Sequence, residues 1–107
     1  MTYPVKVTLV EDEPIAEKLR FKLFQNYPNP FNSETKIKFS IPESVSHPVE
    51  LKIYDVLGRE TTRIFKGELK PGIYEVNFDS SGLSSGVYFC VLLAGKFHDV
   101  IKMVVLK

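Results

Sequence analysis

Residues 25–32, Gln-Asn-Tyr-Pro-Asn-Pro-Phe-Asn, constrain this chain more than any other stretch. Pro28 and Pro30 fix φ at positions one residue apart and remove two backbone donors. Each drives the residue before it, Tyr27 and Asn29, out of the helical region. Asn26, Asn29 and Asn32 are suited to closing local side-chain-to-backbone turns. Tyr27 and Phe31 are the apolar anchors, expected to pin the segment against the next stretch of chain. That stretch is Thr35-Lys36-Ile37-Lys38-Phe39-Ser40-Ile41, which alternates polar and apolar residues as a half-buried strand does. Pro28, Asn29, Pro30, Phe31 and Asn32 therefore read as a stiff structural entry turn into a β-domain.

The period of two continues along the chain. Val49, Leu51 and Ile53 alternate with Glu50, Lys52 and Tyr54, and Asp55-Val56-Leu57-Gly58-Arg59 reads as a hairpin turn. Residues 61–66 return, Pro71-Gly72 makes the next turn, and Tyr74, Val76 and Phe78 alternate again. Residues 86–93 are apolar on both faces, as expected of a central strand, and residues 98–107 form the last one. Strands recurring roughly every 12 residues predict an all-β, Ig-like antiparallel β-sandwich of about seven strands. Residues 1–20 differ in composition. Residues 5–10 suit a short strand, and Glu11-Asp12-Glu13-Pro14 is acidic and ends in a breaker. This arm is expected to be a linker or the tail of a preceding domain, with the sandwich at residues 21–107.

Composition excludes several classes. A chain of 107 residues with 44% hydrophobic and 25% charged residues suits one globular domain with a modest core. A net charge of +1 gives no electrostatic ground for nucleic acid or an acidic membrane surface. Nothing approaches the roughly 20 apolar residues of a membrane span. Residues 1–20 lack the apolar region of a signal peptide. If the domain is exported, inner-membrane targeting is expected elsewhere in a larger precursor.

Cys90 is the one cysteine and sits in an apolar strand, the setting of an inert buried thiol. His47 and His98 have no partner at ligand spacing, so no metal and no cofactor are expected. Residues 7–14 look like the opening of a receiver domain, with Asp55 and Lys102 as its phosphoacceptor and lysine. Pro28, Pro30, Pro42 and Pro48, with period-two runs between them, leave no room for the helices that fold needs. An enzyme is not expected. Tyr54, Tyr74 and Tyr88 would make a carbohydrate-binding platform if they shared one exposed face, but aromatics at such positions favour the core. Residues 101–107 read as a terminal strand that completes a sheet or offers its edge to a partner by strand addition.

Six motifs in order carry a resemblance. They are residues 26–32, Thr35-x-Ile37-x-Phe39-x-Ile41-Pro42, Leu51-x-Ile53-Tyr54-Asp55-x-x-Gly58-Arg59, Pro71-Gly72-x-Tyr74, Leu83-Ser84-Ser85-Gly86-Val87-Tyr88 and residues 102–107. Together they resemble the C-terminal sorting domain of the type IX (Por) secretion system, type A, over residues 21–107. The Ig-like domain of flagellar hook-capping proteins shares the entry motif. That leaves a carbohydrate-binding, adhesion or hook-capping module as the alternative reading.

The resemblance implies a non-catalytic address on a cargo attached N-terminally. Its partners would be outer-membrane translocon components and a sortase-like peptidase. The precursor would pass through the periplasm to the cell surface or beyond, with removal of the domain and surface attachment of the cargo in many members. A dimer through the terminal edge strand is a further expected association. By carry-over, recognition falls to Pro71, Gly72 and Tyr74, to Gly86 and Tyr88, and above all to Lys102, Met103, Val104, Val105, Leu106 and Lys107. Ser33 stands where the family commonly has proline, and Cys90 where it often has an aromatic or polar residue.

Overall fold

The computed structural model describes residues 7–11 and 19–107. Among the described residues eight strands run in chain order: β1 (Val7–Glu11), β2 (Lys22–Leu23), β3 (Glu34–Ile41), β4 (Val49–Asp55), β5 (Glu60–Gly67), β6 (Gly72–Asp79), β7 (Gly86–Ala94) and β8 (Phe97–Val105). They form two four-stranded sheets, ordered β1-β6-β3-β2 and β5-β4-β7-β8. All named pairings are antiparallel. The all-β sandwich is as expected, with one strand more than the approximate count.

The eighth strand comes from the arm. Val7–Glu11 pairs with β6, placing Val7 opposite Val76 and Leu9 opposite Tyr74. Residues 1–6 and 12–18, including Asp12, Glu13 and Pro14, lie outside the described residues. At the start of the expected sandwich, Lys22–Leu23 forms a short strand paired with Ser40 and Phe39. Residues 86–93 do lie in an interior strand, between β4 and β8.

Alternation sends one face of each strand inward. Ile37, Phe39, Ile41, Val49, Leu51, Ile53, Tyr74, Val76, Phe78, Tyr88, Cys90, Leu92, Met103 and Val105 are all buried. Burying each such aliphatic side chain contributes about 1.5–3 kcal/mol, so the pattern rather than any single contact holds the sandwich.

The β4–β5 turn forms as its residues dictate. Asp55 Oδ1 accepts from the Leu57 and Arg59 N–H groups at 2.9 and 3.0 Å, and Oδ2 accepts from Arg59 Nε at 2.8 Å. Gly58 takes φ 81°, a left-handed conformation that glycine adopts without steric cost. The Arg59 N–H bond holds the Asp55 carboxyl below its ordinary range; desolvation, second in size, opposes it, and the guanidinium and the Leu57 N–H add to the lowering. Asp55 thus caps a hairpin, and the all-β fold removes the receiver reading.

Candidate functional site: the terminal strand and its clasp

The entry segment is built in two halves. Residues 22–27 follow β3: Phe24 N–H donates to Lys38 O at 2.9 Å, and Tyr27 exchanges both backbone bonds with Lys36 at 3.1 and 2.9 Å. Asn26 is buried, and its Nδ2 donates to Thr35 Oγ1 at 2.9 Å and Pro28 O at 3.2 Å. Thr35 Oγ1 donates in turn to Pro28 O at 2.8 Å. A buried amide with this many partners is satisfied, and it fixes the turn's register. The Tyr27–Pro28 and Asn29–Pro30 peptide bonds are both cis.

After the turn the chain crosses to the other sheet. Phe31 N–H donates to Val104 O at 3.0 Å, and Leu106 N–H donates to Phe31 O at 2.9 Å. These bonds make a parallel bridge beside Val105 on the outer edge of β8. The Phe31 ring is buried and lies edge-on to Phe78, with centroids 6.4 Å apart. Tyr27, expected as the second anchor, is instead 80% exposed. Its cross-strand partner Lys36 points outward, and paired residues share a face. The segment therefore has one aromatic anchor, and Asn26 takes the buried position on the other side.

Three more side chains cap the same edge. Gln25 Nε2 donates to Lys102 O at 2.8 Å. Asn29 Oδ1 accepts from Val104 N–H at 2.8 Å. Asp99 accepts from Val100 N–H at 2.9 Å through Oδ1 and from Leu23 N–H at 2.8 Å through Oδ2. From Val100 to Leu106, the outward edge of β8 is held by residues 23–31 and by Asp99. A dimer formed by simple strand addition at this edge would have to break these bonds first.

The terminal residues divide by exposure. Met103 and Val105 are buried, Val104 is half-buried, and Lys102, Leu106 and Lys107 are exposed. Lys102 stands on the outer face opposite Phe89 and forms no ion pair among the described residues. Lys107 differs: its Nζ donates to Ser80 O at 2.7 Å and its N–H to Ser85 Oγ at 2.9 Å. Ser80 is buried and docks on the entry loop, its Oγ donating to Asn32 O at 3.0 Å. The last residue therefore ties the 80–85 loop, and through it the entry turn, to the end of β8.

The other carried-over residues sit at two corners of the same construction. Tyr74 O–H donates to Lys70 O at 2.6 Å, and Tyr88 O–H to Ser84 O at 2.8 Å. Each tyrosine is buried two residues after a glycine that opens a strand, Gly72 or Gly86. Pro71 is half-buried beside Gly72. With Tyr74 and Tyr88 in the core, the three-tyrosine platform does not form, and only Tyr54 keeps part of its ring exposed. Cys90 is fully buried, and desolvation pushes its thiol well above the ordinary range. Among the described residues no group of three or more His, Cys, Asp or Glu side chains converges as a metal site would require. Nothing in the sequence marks Asn26, Thr35 and Ser80 as buried polar groups. Their short polar side chains look the same in sequence whether they face solvent or a backbone carbonyl.

Fold and site define a small antiparallel β-sandwich module whose distinctive surface is a terminal strand clasped by the module's own entry segment. The chain belongs to the family of secretion system C-terminal sorting domains, whose sequence model matches residues 25–107. No curated protein matches it. The match runs from Gln25, where the clasp begins, to Lys107, where the terminal strand's tether ends. The motifs in the sequence thus identify a type IX sorting domain, the address of a secreted protein bound for the cell surface or the extracellular space. Such an address implies the type IX machinery and an attached cargo as partners.

Proposed function

We propose that the module is read, as a non-catalytic signal, by outer-membrane translocon components after the precursor has reached the periplasm, and that Lys102 is the principal contact. The observation that carries this is the placement of Lys102: exposed on the outer face of the terminal strand and free of ion pairs among the described residues. An unpaired ammonium keeps its charge for a partner, whereas a paired one has to be released first. Leu106, 58% exposed, and the half-buried Val104 extend the contact with apolar surface. Gly86, Tyr88, Met103, Val105 and Lys107 hold this strand in place, while Pro71, Gly72 and Tyr74 shape the β6 corner, and both contribute to recognition through the module's shape. The cargo precedes the sandwich. A sortase-like peptidase then cuts upstream of residue 21 and leaves the cargo at the surface.

The test is a fusion of the whole 107-residue chain behind a periplasmic reporter, in a host with this secretion system. The wild-type fusion should reach the surface, and Lys102→Ala should retain the reporter in the periplasm with the fold intact by circular dichroism. Equal delivery of both fusions would defeat the assignment of Lys102. Retention of both would defeat the sorting role itself.

A further inference from the structure

The bonds along β8 divide into two kinds. At Val104 O and Leu106 N–H, Phe31 supplies backbone groups, and its ring is buried. At Lys102 O and Val104 N–H, the partners are the side chains of Gln25 and Asn29, both exposed residues. Side-chain caps of this kind occupy the positions that the backbone of an added strand would fill. They hold them weakly, because water competes at an exposed bond and each cap has rotamer freedom to regain on release. The two kinds meet at Val104, whose N–H is capped by Asn29 and whose carbonyl is bound by Phe31.

We infer that the side chains of Gln25 and Asn29 form a releasable mask over a strand-addition site on β8, while Asn26, Tyr27 and Phe31 hold the backbone of the entry segment in place. The site's occupant is an extended strand of a partner, which takes up Lys102 O and Val104 N–H once the caps leave. The exposed Lys102 side chain lies beside those groups on the same strand, so one partner engages the ammonium and the newly opened edge together. The inference rests on the sorting reading for the partner's identity. The mask itself does not depend on it.

Hydrogen exchange on the full chain tests the mask without any secretion machinery. Met103 points its N–H toward β7 rather than outward and serves as the reference within the same strand. In the double variant Gln25→Ala, Asn29→Ala, the Val104 amide should exchange about tenfold faster while Met103 keeps its rate. Asn29→Asp retains the acceptor and should leave Val104 protected. No acceleration at Val104 would show that the caps do not cover the edge. Equal acceleration at Met103 would show that the segment opens only with the whole fold. Either result overturns the inference.

The reporter host then tests the partner. The double variant should be delivered at a rate at least equal to wild type, while Asn29→Asp should match wild type. Accelerated exchange with reduced delivery would overturn the assignment of the edge as a partner site. Absence of delivery in every fusion, wild type included, would count against the sorting role and leave the exchange result standing.

Discussion

At one edge of the second sheet, β5 carries Glu60, Arg63 and Lys66, and its pairing with β4 is interrupted by two register shifts. At the other edge, β8 pairs with β7 over nine residues without an interruption. An uninterrupted edge strand is an open template, and an edge with charges and bulges is a poor one. The β5 edge is therefore guarded by its own local chemistry. Lys52 lies 3.4 Å from Glu60 and 3.8 Å from Glu50, and Arg63 3.7 Å from Glu50. The β8 edge relies instead on residues 75 and 77 positions earlier in the chain. A local guard is permanent. A guard borrowed from elsewhere in the chain can be withdrawn, as the partner site proposed at β8 requires.

The contrast is open to test from both sides. Phe31→Ala should have the largest effect, about 3–5 kcal/mol lost in chemical denaturation, because it removes a buried ring and the anchor of the clasp. A loss no larger than that of a β5 surface charge would end the distinction between the two edges. Asn29→Ala should cost about 1 kcal/mol by the same measurement, the net worth of one hydrogen bond. Glu50→Gln, which removes the acceptor shared by Lys52, Arg63 and Lys66, should cost at most about 1 kcal/mol and less in high salt. A large, salt-insensitive loss there would mean that β5 too depends on a buried device.

Asp55→Asn probes the turn that holds β5 to β4. The folded carboxyl sits below its ordinary value of 3.8, so its stabilisation is present above that value and lost as pH falls through the lower folded value. The stability difference between wild type and variant should shrink on acidification, as read from denaturation midpoints across pH. A difference that grows in acid would contradict the bonds at the turn. Lys102→Ala should change stability least, within about 0.5 kcal/mol, while its effect on delivery should be the clearest of the set.

Much of the fold is legible in the sequence because burial in a sandwich follows a period of two. Ile37, Phe39 and Ile41, then Val49, Leu51 and Ile53, then Tyr74, Val76 and Phe78 alternate onto one face and are found buried there. The hairpin at Asp55 and Gly58 is legible for a different reason, since its bonds span four residues or fewer. The site is less so. The motifs point to residues 102–107, but alternation alone leaves open which lysine is free, and Lys107 proves to be tied to the Ser80 carbonyl. Residue types in the entry segment suggest two aromatic anchors, and it has one.

By itself the sequence determined an all-β sandwich, its central strand and its hairpin turn, because each of these rests on residue types at short and regular spacing, and its six ordered motifs carried the resemblance to its family. The tertiary structure alone decided that Phe31 goes in and Tyr27 stays out, that Val7–Glu11 joins the first sheet, and that Gln25, Asn29 and Phe31 close over Lys102, Val104 and Leu106. These are pairings between distant stretches, set by which strand edges the sheet order leaves open. No local pattern in residues 25–32 or 101–107 encodes the other as its partner. The entry turn and the terminal strand, separate motifs in the sequence, are one structural unit in the fold.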